Sequence, residues 1–133
     1  TALPGPARVE GGAIGGRYDL VDVRVGRHEG FTRVVWQMAE PDGAPRYVAR
    51  LEEAPGGWRL AVVLSDVSAF DSPRSLEPEA GPAGGAVTAV STMPMRDDAL
   101  LAFAVDLREP ARFQVTTLQD PVRVVVDVFD AAP

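Results

Sequence analysis

Few side chains in this sequence are equipped for acid–base, nucleophilic or metal chemistry. There is one histidine, His28, and no cysteine. A Ser–His–Asp arrangement would need His28 as its base. It lies beside Glu29 in Arg27-His28-Glu29-Gly30, which reads as a solvated turn, and no serine sits in a strained strand-to-helix elbow. Zinc needs three or four nitrogen or sulfur ligands, more than this composition supplies. Calcium needs clustered oxygens. The adjacent pairs do not provide them: Glu52-Glu53 are neighbours on a strand and point to opposite faces, and Asp97-Asp98 reads as a solvated turn pair. Asp106 and Asp127 both fall on expected strands, but nothing in the pattern brings them together as a glycosidase pair. The expectation is a non-enzymatic domain with no metal and no cofactor.

Side chains suited to recognition are easier to find. Thr32-Arg33-Val34-Val35-Trp36-Gln37 is echoed by Val122-Arg123-Val124-Val125-Val126-Asp127. In each copy the alternation puts the large apolar residues on one face. Arg33 with Gln37, and Arg123 with Asp127, then face outward. Residues i and i+4 on a strand are about 13 Å apart, so each pair makes an elongated polar track rather than a pocket. Such a track suits a linear polymer or a flat partner. Tyr47 and Trp58, on two strands expected to pair, are candidates for a small stacking platform for a sugar ring, or for a lid on the core.

The elements that must carry these residues are strands. Val21, Val23 and Val25 alternate with Asp22 and Arg24, the period of a half-buried strand. The same reasoning predicts strands over 18–26, 31–39, 46–53, 58–66, 86–95, 99–108, 112–118 and 122–128. They are separated by turn chemistry such as Pro41-Asp42-Gly43 and Pro55-Gly56-Gly57. About eight mostly antiparallel strands, with no three-turn helical stripe, predict an all-β sandwich built with two related strand–turn–strand units. Residues 17–130 form that domain. Residues 1–16, rich in proline and glycine, read as a flexible linker. The segment 67–85 reads as a long surface loop with a short helical turn near 68–72, and loops of this length are usually functional or disordered. Val23, Val62, Phe103, Val124 and Val126 are expected in the core.

The 133 residues make one domain, large enough to bury a core without disulfides. All 13 basic residues are arginine, and the net charge is -6. An acidic domain argues against nucleic acid, whose binding needs a basic footprint. No apolar run of about 18 residues spans a membrane. The chain starts at Thr1, without a signal-peptide core, which suggests a mature or trimmed form of an exported protein.

The stretch 23–36 (VRVGRHEGFTRVVW) and the closing stretch 113–127 (FQVTTLQDPVRVVVD) resemble the two ends of the AMIN-like domains of actinobacterial exported proteins and lipoproteins. The likeness spans roughly residues 18–129. It implies a compact β-sandwich of two related sheets outside the cytoplasmic membrane, secreted or lipid-anchored. It also implies a non-catalytic role, since the related AMIN domains of peptidoglycan amidases and pilus secretins are envelope-targeting modules linked to peptidoglycan binding. Their repeated strand motifs show on outer faces, which corresponds here to Arg33, Gln37, Arg123 and Asp127. The resulting expectation is a cell-envelope module for peptidoglycan or another wall polymer. The alternative is an envelope protein–protein interaction domain using a sheet edge or the 67–85 loop.

Overall fold

A computed structural model describes residues 3–39, 43–69, 77–95 and 99–130. Eleven strands occur among them and no helix. The eight predicted strands are all present, as β2 (Tyr18–His28), β3 (Phe31–Met38), β4 (Tyr47–Ala54), β5 (Gly57–Ser65), β8 (Val87–Met93), β9 (Leu100–Leu107), β10 (Phe113–Leu118) and β11 (Arg123–Phe129). Three short strands add to them: β1 (Arg8–Gly11), β6 (Val67–Ser68) and β7 (Glu79–Ala80). One sheet has the order β1-β4-β5-β9-β8-β7 and the other β10-β11-β3-β2-β6. All pairings within the sheets are antiparallel except β2 with β6. The helical turn expected near 68–72 falls partly on residues outside those described, and Ser68 itself belongs to β6.

The two sheets stack through their alternating apolar faces. Thr32, Val34, Trp36 and Met38 point inward from β3 and are fully buried. Leu60, Val62 and Leu64 from β5, with Phe103, Val105 and Leu107 from β9, meet them from the other sheet. The Trp36 and Phe103 rings are 5.5 Å apart at 58° and join the layers. The five residues expected in the core are all buried.

The region read as a flexible arm behaves differently over residues 8–11. Arg8 to Gly11 pair with Arg50 to Tyr47 of β4 and form the edge of the larger sheet. Val9 packs against the core while Arg8 and Glu10 face out. The surrounding glycines and prolines hid this short alternation. Glu10 is held below its usual carboxylate range by a hydrogen bond from Arg8 and by the charge of Arg46. A depressed carboxylate contributes stability above its unfolded value, here 4.5, and loses that contribution as pH falls through the lower folded value. Protection of the Val9 and Leu51 amides, taken relative to intrinsic exchange at each pH, is therefore expected to fall below about pH 4.5, ahead of protection in β9. An equal fall in both strands would show that Glu10 does not hold β1 in place.

Candidate functional site: the outer face of the five-stranded sheet

The two copies of the repeat are neighbours. β2 and β3 form one hairpin, with Gly30 at φ 85° in its turn, and β10 and β11 form the other. β3 and β11 then pair antiparallel, with Val35 opposite Val125 at the centre. Both related units thus lie in one sheet instead of building two related sheets. The pairing relates the copies by a local two-fold, so Arg33 stands opposite Asp127 and Arg123 opposite Gln37.

This register lays out the outer face in rows across β2, β3, β11 and β10. One row is Gly26, Arg33, Asp127 and Gln114; two residues along comes Arg24, Val35, Val125 and Thr116; then Asp22, Gln37, Arg123 and Leu118. At the other side of the Arg33 row stand His28, Phe31 and Phe129. The four polar residues of the repeat are therefore gathered in one patch, as two facing pairs rather than two separate tracks.

The pairs are not equivalent. Arg33 donates from Nε and Nη2 to the two oxygens of Asp127, at 2.8 and 3.0 Å. Asp127 points outward yet is only 4% exposed, and Gln114 reaches it at 3.5 Å. The bond to Asp127 raises the Arg33 pKa further above its ordinary value. At the other pair, Arg123 donates to the carbonyl oxygens of Pro121 and Gln119, and Gln37 accepts from Arg24. Arg24 also holds Asp22. Arg33 was expected as a solvated side chain and is instead half of an ion pair, because its cross-strand neighbour is a carboxylate.

The other candidates separate. Tyr47 is opposite Leu64, and Trp58 is opposite Glu53. Six residues of strand, about 20 Å, lie between them. Both pack against the core, so no joint platform forms. Asp106 faces outward from the larger sheet, in register with Arg59, whereas Asp127 faces outward from the smaller one. The sandwich separates these two carboxylates. Asp97-Asp98 lies outside the described residues.

An aromatic row absent from the sequence reasoning borders the polar patch. His28 is the last residue of β2, not a turn residue, and its ring stacks on Phe31 at 4.9 Å and 6°. Phe31 meets Phe129 at 6.1 Å, Arg33 lies 5.4 Å from the centre of the Phe31 ring, and Arg112 lies 4.5 Å from that of Phe129. The available signal was that Phe31 lies two residues before Arg33 and Phe129 two residues after Asp127, an equal offset that counts only once Arg33 and Asp127 are known to face each other. Beside Arg33, Gly26 leaves open space where a side chain would stand.

The AMIN-like domain model matches residues 18–130, from β2 to just past β11. The chain belongs to the AMIN-like family. No curated protein matches it. An AMIN-like domain is a module associated with the cell envelope, and such modules are in general not catalytic. Among the described residues no helix is long and apolar enough to cross a membrane.

Proposed function

We propose that this AMIN-like domain is a non-enzymatic binding module for peptidoglycan or another wall polymer, in a secreted or lipid-anchored envelope protein. The antiparallel pairing of the two repeat strands supports the reading, because it gathers Arg33, Asp127, Arg123 and Gln37 into one patch on a sheet face. A sheet face suits an extended chain. Arg33 and Arg123 each have an Nη1 that makes no bond to the protein among the described residues, leaving a donor for hydroxyl or carboxylate oxygens. The row of His28, Phe31 and Phe129 offers the ring faces that Tyr47 and Trp58 do not combine to give.

The expected result is retention of the domain on purified sacculi. Replacing Arg123 and Gln37 together by alanine is expected to lower retention severalfold while changing the melting temperature little, since neither side chain is buried. Wild-type protein that washes freely from sacculi would remove the polymer reading.

The edge of β10 supports a second reading. Phe113–Leu118 contains no charged residue and no proline, and pairs only with β11 among the described strands. Sheet edges are usually blunted by charge, proline or shortness. The other sheet-terminal strands have at most four residues, and β1 and β7 also carry charge. An extended segment of an envelope protein adding to β10 is the reading that a failure of sacculus binding would favour.

A further inference from the structure

Away from the outer face, one end of the sandwich is lined by cations that come from both sheets. Arg27, near the end of β2, stands opposite the inward-facing Thr32 and donates from Nη1 to Ala83 O at 3.1 Å and from Nη2 to Asp130 at 3.2 Å. Arg108, just beyond β9, donates from Nε to Gly85 O at 3.1 Å. Both guanidinium groups thus rest on the same short loop, on carbonyls two residues apart, and converge on a cavity of about 370 Å³. A second hollow of about 520 Å³ adjoins it, shares Phe129 and Asp130, and adds Arg112.

Two features distinguish this end from an ordinary charged surface. First, seven described arginines contact a carboxylate, namely Arg8, Arg24, Arg27, Arg33, Arg46, Arg50 and Arg59. Arg17, Arg108, Arg112 and Arg123 have no such ion pair, and two of these four line the two hollows. In the first cavity Arg27 is paired with Asp130, so Arg108 is the cation there without a carboxylate partner among the described residues, in a lining that Glu109 and Asp130 otherwise balance. Second, the wall requires glycine. Gly84 has φ 77°, and a β-carbon there would lie 2.8 Å from Arg27 Nη1. A β-carbon on Gly85 would lie 2.7 Å from Thr32 Oγ1. A larger residue at Gly85 would press on the buried Thr32, and one at Gly84 would be strained by its positive φ and would push Arg27 aside.

From this geometry we propose that the cavity binds the carboxylate of a small organic acid group. A guanidinium fork matches a planar carboxylate, and the terminal nitrogens of Arg108 make no bond to the protein among the described residues. Glu109 and Asp130 also line the cavity, and their charge selects a monoanion over a phosphate dianion. Pro110, Ala111 and Phe129 supply an apolar wall for a small substituent. The carboxylate comes from one of two sources, the free carboxyl end of a peptide or an acidic sugar. The site lies at the end of the sandwich and does not depend on polymer binding at the outer face.

The test is an NMR titration of the whole ¹⁵N-labelled chain, following the amides of Gly84, Gly85 and Arg108 and the Nε–H groups of Arg27 and Arg108. N-acetylalanine represents the peptide end and glucuronate the acidic sugar. Saturable shifts at these positions with either probe support the proposal, and the tighter probe names the source. N-acetylalaninamide, which lacks the carboxylate, is expected to give none, and inorganic phosphate to bind at least about tenfold more weakly. Arg108→Gln is expected to weaken the better probe by about tenfold, the scale of one charge-assisted hydrogen bond. Equal shifts with N-acetylalaninamide, equal affinity for phosphate, or no saturable shift in the wild-type chain would overturn it. The wild-type titration decides the matter even if Arg108→Gln is poorly folded.

Discussion

Replacing Trp36 by alanine is expected to destabilise the domain by about 3–5 kcal/mol, the usual cost of deleting a large buried aromatic side chain. Trp36 is fully buried at the middle of the smaller sheet, and its ring meets Phe103 across the layers. The substitution removes that contact and opens a void that neither sheet can close, because β3 is held on one side by β2 and on the other by β11. Trp36→Phe is expected to cost less, since it keeps most of the volume, and since the indole Nε1 has no hydrogen-bond partner to lose. Urea unfolding followed by circular dichroism measures both. A loss below about 1 kcal/mol for Trp36→Ala would mean that the layers repack without this residue.

The second large effect separates two arginines that occupy equivalent positions in the repeat. Arg33→Ala is expected to cost about 2–4 kcal/mol, and Arg123→Ala less than about 0.5 kcal/mol. The difference comes from what each leaves behind. Without Arg33, the buried Asp127 retains only the long contact from Gln114. Removing one partner of a buried pair costs about 3–5 kcal/mol, and the range here is reduced because the Arg33 side chain is 38% exposed. Arg123 leaves only two carbonyl oxygens near the surface. Exchanging Arg33 and Asp127 together for apolar residues of similar size is expected to recover most of the loss, since no charge is then stranded. Equal stability of the two single variants would show that the Arg33–Asp127 pair behaves as a surface ion pair.

The contrast between these arginines marks where the amino-acid pattern stops being readable. Alternation along one strand is a local signal. Thr32, Val34, Trp36 and Met38 announced their inward face, and the eight longer strands followed from the same period of two. Which strand lies beside β3 is not a local property. The partner of Arg33 is Asp127, and nothing near either residue names the other, so the burial of Asp127 and the composition of the polar patch could not be foreseen. The aromatic row was hidden for the same reason, because His28, Phe31 and Phe129 meet only once the register is known. Tyr47 and Trp58 failed in the opposite way. They do lie on paired strands, but a hairpin places the first residue of one strand beside the last residue of the other. β1 was masked by composition, since four residues of alternation are a weak signal among glycines and prolines.

The pairing of β3 with β11 also sets an order of assembly. The central contact joins residues 35 and 125, which are 90 positions apart (125 − 35). Until Arg123–Phe129 has been synthesised, β3 has a neighbour on one side only, and the buried faces of Val34 and Trp36 lack the valines that flank them. A contact of this range carries a loop-closure cost that must be met before any burial rewards it, which slows folding. The smaller sheet therefore completes only when β11 docks, and that strand closes the half of the core that β2 and β3 leave open.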